Sequence, residues 1–255
     1  METSRDRENG IQRKPLKEEI LEILHDRVIA GKYPPGEWLR QEEIASKLGV
    51  SMTPVREALD LLVSSGLAER VPYRGVRIIQ PTADEIIDAY GLRLLLEPTA
   101  ARLAAERADA KQVDSLRHIL QRMQPLATLS DMSNQQQLNR MFHQSIITAS
   151  NNALLDKIYP LVLNAFPDWL LYEAMFRHPE LLGSSLKTEF QEHKDILTAI
   201  ENHELDLAAQ YSAVHIINRS REIETFLGIP SDLLEQTEKR FTHHLPAHHE
   251  HQIKY

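Results

Sequence analysis

The stretch SMTPVREALDLLVSSGLAERVPYRGVRI, residues 51–78, carries the pattern that decides the fold. Its first half places apolar residues such as Val55 and Leu59 at helical spacing, with a proline in the first turn, where a missing backbone N–H costs nothing. After Gly66 the pattern changes to two short strand-like runs around a turn that contains Gly75. The stretch therefore predicts a helix followed directly by a β-hairpin.

Two further helices are predicted before this stretch. The segment PLKEEILEILHDRVIAGKYPPGEWL, residues 15–39, begins with apolar residues at helical spacing and contains a Pro-Pro-Gly turn. The segment QEEIASKLG, residues 41–49, is a short helix that Gly49 ends. Because only a few residues separate it from the next helix, the pair forms a helix-turn-helix, and the hairpin forms its wing. We expect this domain to cover residues 14–80, after a flexible N-terminus of residues 1–13.

Strand signals end at Pro81, and the rest of the chain is predicted to be helical. Six segments carry helical periodicity, which indicates an all-α bundle of six or seven helices over residues 81–230. We expect residues 231–255 to be a His-rich C-terminal tail without regular structure, able at most to bind metal weakly. The predicted fold class is mainly α: an N-terminal winged helix-turn-helix with a small β-hairpin wing, followed by a helical bundle.

Composition and charge exclude several classes of protein. The formal net charge of -8 argues against bulk attraction to nucleic acid, although residues 1–80 carry as many basic as acidic side chains. The absence of cysteine excludes disulfides, thiolate catalysis and thiolate metal ligands. No apolar run approaches the roughly 18 residues that a membrane span requires, and the charged N-terminus lacks the apolar segment of a signal peptide. We expect a cytoplasmic protein that does not contact the membrane.

The predicted helix-turn-helix supplies candidate DNA contacts. Side chains at the start of a recognition helix point at base edges, and the free backbone amides there favour phosphate. Arg56 lies opposite the apolar face of its helix, so it is available to a guanine or a phosphate. Gly75 allows the wing to turn tightly, so that Arg74 reaches the adjacent groove. The full set of predicted DNA-binding residues is Arg40, Gln41, Ser51, Thr53, Arg56, Arg74 and Gly75.

This N-terminal pattern resembles the winged helix-turn-helix of the GntR transcription regulators. Their pattern runs Ser-Arg-x-Pro-Val-Arg-Glu-Ala-Leu, then Gly-Leu, then an Arg-Gly wing, and the resemblance covers roughly residues 14–80. Met52 stands where many members of the family carry Arg, which puts one phosphate or base contact in doubt. The resemblance implies a DNA-binding regulator of transcription rather than an enzyme.

The helical half resembles the FCD ligand-binding domain of the FadR-type branch of the same family. The matching segments are YGLRLLLEP, NRMFH, QEHKDIL and AVHII. In that domain Arg and Glu open the bundle, and an Asp, together with three His from different segments, holds a divalent metal. Carried over by motif, Arg93 and Glu97 take the opening positions, and the implied metal ligands are Asn139, His143, His193 and His215. Asn139 replaces the usual Asp.

The helical spacing of the histidines supports a site independently of this resemblance. His193 shares a face with apolar residues of its helix, and His143 lies next to Ile146 and Ile147. A single inward histidine is more often a hydrogen-bonded core residue than a ligand. Three of them on different helices favour a divalent metal, which satisfies all three imidazoles together. Zn is the first choice, with Ni, Mn and Fe as alternatives.

Asn139 and Arg93 indicate the chemistry of a ligand. An amide oxygen and three neutral imidazoles leave the charge of a divalent metal uncompensated, which favours an anionic effector. We expect a small carboxylate or similar oxyanion that binds the metal and that Arg93 grips bidentately. The equally favoured alternative is an internal salt bridge between Arg93 and Glu97, four residues apart.

The sequence thus predicts a ligand-responsive transcription regulator, with repression as the default sign. A homodimer reading a palindromic DNA operator is expected, because effector binding then changes the relative placement of two DNA-binding domains. One alternative is a metal-responsive regulator without an organic effector. Another is a His-ligated metalloenzyme, which lacks a convincing general base because Glu192 should point about 100° away from His193 on the helix.

Overall fold

The computed structural model describes residues 14–123 and 128–242 of the 255-residue chain. Its N-terminal part is a winged helix-turn-helix. Gly49 ends the second helix in a left-handed conformation with φ 67°, as predicted, and the third helix begins at Met52. A two-residue strand that the sequence analysis did not predict joins the hairpin in a sheet of order β1-β3-β2. The elements are α1 (Leu16–Ile29), β1 (Trp38–Leu39), α2 (Gln41–Leu48), α3 (Met52–Ser64), β2 (Ala68–Val71) and β3 (Gly75–Ile78).

The remainder of the described chain is a helical bundle built around one long central helix. This helix, α4, begins with a capping box in which Thr82 and Glu85 satisfy each other's backbone N–H groups. It packs against α6, α7, α9, α10 and α11. The elements are α4 (Ala83–Arg107), α5 (Ala110–Met123), a 3-10 turn (Leu129–Asp131), α6 (Met132–Ala149), α7 (Ala153–Ala165), α8 (Asp168–Arg177), α9 (Pro179–Glu201), α10 (Leu205–Leu227) and α11 (Ser231–Thr242).

The DNA-binding head packs directly against the bundle. Its apolar core is continuous with Trp169 and Tyr172 of α8, and α1 contacts both α6 and α8. Gly66, just after α3, has φ +78°, and a Cβ atom there would lie 2.9 Å from the side chain of Asn164 at the end of α7. Asn164 in turn donates a hydrogen bond to the carbonyl of Ser64. Glycine is therefore required at position 66 both by the backbone and by this close approach.

The C-terminal part of the chain corrects one prediction. Residues 231–242 form α11, where we expected an unstructured tail to begin at 231. Leu234 is buried against the bundle, and the hydroxyl of Tyr90 donates a 2.8 Å hydrogen bond to Glu238. This helix was not predicted because few of its residues are apolar. The histidines of the predicted tail lie beyond residue 242, outside the described residues.

The predicted fold class is confirmed. Helices α4 to α10 are the seven-helix form of the expected bundle, and α11 adds to them. Pro167 separates α7 from α8, whereas Pro98 and Pro160 lie inside continuous helices. Within the described residues, none of the helices combines the length and the apolar character that crossing a membrane requires.

Candidate functional site

The predicted recognition helix, α3, presents its polar face to solvent. Val55, Leu59 and Leu62 are fully buried, and Arg56 lies on the exposed side. Neither Arg56 nor Arg74 forms an ion pair through its guanidinium with any residue that the structure describes. Both cations are therefore free to contact a phosphate or a base.

The start of α3 leaves two hydroxyl groups exposed. Ser51 occupies the N-cap position, but its side chain makes no capping hydrogen bond, and Thr53 lies inside the helix. Both hydroxyls are therefore available to phosphate. Met52, between them, is 52% exposed.

The wing brings the other predicted DNA contacts beside α3. Tyr73 and Gly75 have φ values of 61° and 112°, which turn the chain sharply between β2 and β3. Arg74 and Gly75 line an open groove of about 700 Å³ together with Arg40 and Gln41 from the start of α2. Arg40 also lies 3.6 Å from Glu43. Four of the seven predicted residues therefore share one groove, and the other three lie at the adjoining start of α3.

The three histidines of the bundle meet in its interior. His143 comes from α6, His193 from α9 and His215 from α10, and each is at most 3% exposed. One nitrogen from each ring lies within 4.8 Å of the other two. Three imidazoles that converge in this way can bind one divalent cation.

The hydrogen bonds of two of these rings orient them toward each other. Nδ1 of His143 lies 2.8 Å from a carboxylate oxygen of Glu97, and Nδ1 of His215 lies 2.7 Å from one of Glu192. Each Nδ1 therefore carries the proton, and each Nε2 offers a lone pair. These two Nε2 atoms are 3.2 Å apart. Metal–nitrogen distances of about 2.0–2.1 Å place two ligands of one ion roughly 3.0–3.4 Å apart, so this separation is compatible with two ligands of one metal.

The third ring and the neighbouring amide lack any other partner. Both nitrogens of His193 and Oδ1 of Asn139 are buried without a hydrogen bond to the residues described. Asn139 lies one turn before His143 on α6 and is 7% exposed. Burying such atoms unpaired costs about 1–3 kcal/mol each, so they fit ligand positions better than structural ones.

The electrostatics of this site favour neutral His193 and His215 and an ionised Glu97. Burial and the neighbouring rings hold the pKa of His193 well below its usual range, and burial with His143 does the same for the pKa of His215. Burial opposes ionisation of Glu97, yet the charge of Arg93 and the contact with His143 keep its pKa well below normal. Neutral imidazole is the form that binds metal.

Arg93 makes the internal ion pair that was one of the two predictions for it. Its Nε lies 2.5 Å from Glu97, and both side chains are 3% exposed or less. Glu97 also accepts a 2.7 Å hydrogen bond from the hydroxyl of Tyr159. The role of Arg93 in effector binding stays a prediction.

Two carboxylates contact the histidines in a way that the sequence did not predict. We expected Glu192 to point away from the site. It instead accepts a hydrogen bond from His215 across the helix pair. Glu97 was expected to pair only with Arg93, yet it also orients His143. Both contacts join different helices, so spacing along one helix cannot reveal them. The predicted DNA-binding residues and the three histidines all follow from local patterns.

Comparison with known proteins identifies both parts of the chain. Residues 16–78 match the family model of bacterial regulatory proteins, gntR family, and residues 88–218, about half of the chain, match the FCD domain. The chain belongs to the gntR family of bacterial regulatory proteins. It consists of a DNA-binding winged helix-turn-helix and an FCD domain, the pairing that the sequence resemblance implied.

Similar proteins carry regulatory names. The HTH-type transcriptional regulator McbR of Escherichia coli K12 is 30% identical over 73% of this chain and 78% of its own length. The "Probable D-xylose utilization operon transcriptional repressor" of Paenarthrobacter nicotinovorans is 31% identical over 57% of this chain and 64% of its own length. A GntR regulator from Rhodococcus sp. RHA1 superimposes with a TM-score of 0.60 at 22% identity, covering 84% of this chain and 98% of that one.

These gntR-family similarities decide between the classes of protein considered. The family and its relatives are transcription regulators, not enzymes, so the metalloenzyme alternative is wrong. The structure gives the physical reason. Glu192, the carboxylate nearest in sequence to His193, is held by the outer nitrogen of His215 and is not free to act as a general base.

Proposed function

We propose that this gntR-family protein is a transcriptional repressor whose operator affinity is controlled by a small carboxylate bound at a divalent metal. The observation that carries the proposal is the 3.2 Å approach of the Nε2 atoms of His143 and His215, whose outer nitrogens both face carboxylates. Neither ring can donate to the other in that state, so a cation between them resolves the contact.

The donor set suits a borderline metal with room for a ligand. The three histidines and Asn139 are all neutral donors, which favours Zn, with Ni, Mn and Fe as alternatives. Glu97 does not offset the charge of such an ion, because Arg93 already neutralises it. A bound metal therefore keeps a net positive charge, which supports a carboxylate as effector.

Helix α6 supplies a physical connection from this site to the DNA-binding head. Gln136 lies on α6 three residues after Ser133 and one turn before Arg140, and it contacts α1 and α8. Its Oε1 lies 3.0 Å from Nε2 of His25 on α1, and its Nε2 donates a 3.0 Å hydrogen bond to Asp168 at the start of α8. A shift of α6 on effector binding thus reaches the head through buried hydrogen bonds.

Repression and dimerisation complete the proposal. A relative at 31% identity is named a repressor, and release of DNA by a metabolite requires only that two heads become misaligned. We expect a homodimer on a palindromic operator, since two-fold symmetry of the protein matches two-fold symmetry of the site. Linkage then requires operator DNA to weaken effector binding by the same factor that effector weakens DNA binding.

Metal analysis tests the centre. Full-length protein purified without a metal-bearing resin should retain about one Zn, Ni, Mn or Fe per chain, and His193→Ala should lose it. His118→Ala, an exposed position on α5, is the matched control and should keep the metal. All variants share the same C-terminal histidines, so a difference between them reports on the buried site. Equal trace metal in wild type and His193→Ala contradicts the proposal.

The metal-responsive alternative is separated by an operator-binding assay. If the ion itself is the effector, loading with metal should change operator affinity, and carboxylates should have no further effect. If a carboxylate is the effector, metal-loaded protein should bind operator tightly until the carboxylate is added.

A further inference from the structure

A second set of buried polar side chains lies one helical turn from the three histidines. Glu189 precedes His193 by four residues on α9, and Arg219 follows His215 by four residues on α10. Nη1 of Arg219 lies 4.0 Å from Oε1 of Glu189. The rings of His193 and His215 face each other in the same way, with centroids 4.6 Å apart. The two pairs therefore form adjacent layers between α9 and α10.

Helices α8 and α6 extend this layer. The hydroxyl of Tyr172 on α8 donates a 2.7 Å hydrogen bond to Glu189, and Trp169 lies one turn earlier on the same side of α8. Gln135 lies one turn before Asn139 on α6, which packs against α8. We call these five residues the polar layer: Gln135, Trp169, Tyr172, Glu189 and Arg219.

Four members of the polar layer have side-chain atoms without a partner. Each residue is at most 6% exposed. The atoms that lack a hydrogen bond to any described residue are Oε1 of Gln135, Nε1 of Trp169, Oε2 of Glu189 and Nε of Arg219. Two of them are donors and two are acceptors. Because buried polar atoms in folded proteins are nearly always paired, this set is complementary to a ligand that offers both kinds of group.

Arg219 has a free donor where Arg93 does not. Arg93 directs both its Nε and an Nη toward Glu97. Nη1 of Arg219 donates a 2.8 Å hydrogen bond to Glu222, but Nε of Arg219 has no hydrogen-bond partner among the described residues. A carboxylate that enters next to the metal ligands therefore finds a ready donor on Arg219.

We propose that the polar layer binds the organic part of the effector, and that the effector is a small carboxylate that also carries a hydroxyl or amino group. The inference rests on the proposed function and specifies its ligand. The carboxylate accepts from Arg219 and Trp169. A hydroxyl group donates to either Glu189 or Gln135, and an amino group donates to both. An unsubstituted carboxylate leaves both acceptors unpaired, which is the kind of mismatch that polar sites reject strongly.

Two matched sets of acids test the chemical class. Calorimetry on zinc-loaded full-length protein compares propionate with lactate and alanine, and succinate with malate and aspartate. In at least one set, a substituted acid should bind about tenfold or more tightly than its unsubstituted parent. The hydroxy and amino members of the set show which donor the layer prefers. Equal binding of parent and substituted acids overturns the proposal, as does the absence of binding by all six.

Two substitutions test the residues. Trp169→Phe removes the indole N–H together with part of the ring, and Arg219→Gln removes the cation; each should weaken the preferred acid by about tenfold or more. Trp38→Phe in the head and Arg221→Gln on the exposed side of α10 are matched controls and should bind like wild type. Unchanged binding in Trp169→Phe and Arg219→Gln overturns the proposal.

Metal content is measured in every variant and should stay at the wild-type level. If metal content is unchanged but the acids do not show the expected difference in binding, the polar-layer proposal is contradicted and the proposed metal site is not. Failure of the proposed function is recognised by a separate result, namely equal trace metal in wild type and His193→Ala.

Discussion

At the scale of one residue, Asn139 is the proposed link between the metal centre and the effector. Its amide oxygen is buried without a partner among the described residues, one turn from His143. An amide binds a divalent ion less strongly than a carboxylate and leaves the charge of the ion in place. In the proposed site, this residue therefore lowers the affinity for the metal and strengthens the attraction of an anion.

Asn139→Asp should reverse both effects. The added carboxylate should raise metal affinity by about tenfold or more, measured by competition with a chelator, and should weaken binding of the effector carboxylate. Asn202→Asp, an exposed position at the end of α9, is the matched control and should change neither quantity. Unchanged metal affinity in Asn139→Asp means that this side chain is not a ligand.

Glu189 should make stability depend on pH in the absence of effector. Burial raises its pKa to about 7, against the lowering effects of Arg219 and the Tyr172 hydroxyl. A carboxyl whose folded pKa lies above its unfolded value contributes most stability below about pH 4.5, and this contribution falls as pH rises through 7.

Glu189→Gln removes this titration. Relative to wild type, its free energy of unfolding should rise between pH 5 and pH 8, by up to about 3 kcal/mol, because one pKa unit corresponds to about 1.4 kcal/mol. Urea denaturation at both pH values measures the difference. A difference that is the same at pH 5 and pH 8 contradicts a raised pKa.

At the scale of elements, α11 should contribute to the stability of the bundle. Leu234 is 2% exposed and Leu233 is 37% exposed, so the two neighbours form a matched pair. Leu234→Ala should lower the free energy of unfolding by about 2–4 kcal/mol, and Leu233→Ala by less than about 1 kcal/mol. Equal effects in urea denaturation would show that α11 does not dock on α4.

Local pattern explains which elements the sequence could predict. Helix α3 combines a buried apolar stripe with Gly stops and a hairpin, so propensity and packing agree there. Helix α11 buries only Leu234 and Thr237, and its docking depends on distant partners such as Tyr90. The same distinction holds at the site. The histidines follow helical spacing, whereas Glu97 and Glu192 reach them across helices.

At the scale of the whole molecule, Gln136 should carry the response from sensor to head. Gln136→Ala removes the contacts with His25 and Asp168 and leaves the metal ligands intact. Metal content and effector affinity of the isolated protein should stay near wild type. The effector-induced loss of operator affinity, measured by fluorescence anisotropy, should shrink by about fivefold or more.

Two variants serve as controls for that experiment. Gln137→Ala, the exposed neighbour on α6, should respond to effector like wild type. Arg56→Ala should lose operator binding with and without effector while keeping its metal. A full effector response in Gln136→Ala shows that the coupling runs elsewhere.

Helix α6 carries the proposed metal ligands Asn139 and His143 and, one and two turns before them, the contact of Gln136 with the head. A rotation of this helix therefore moves both sets of side chains together. Side-chain atoms lie about 5–6 Å from a helix axis, so a turn of roughly 10° moves them by about 1 Å. Hydrogen bonds tolerate much less displacement than that. In the proposed mechanism, a small rotation of α6 at Asn139 is enough to change the hydrogen-bond partners of Gln136 at α1, without any movement of the helix along its length.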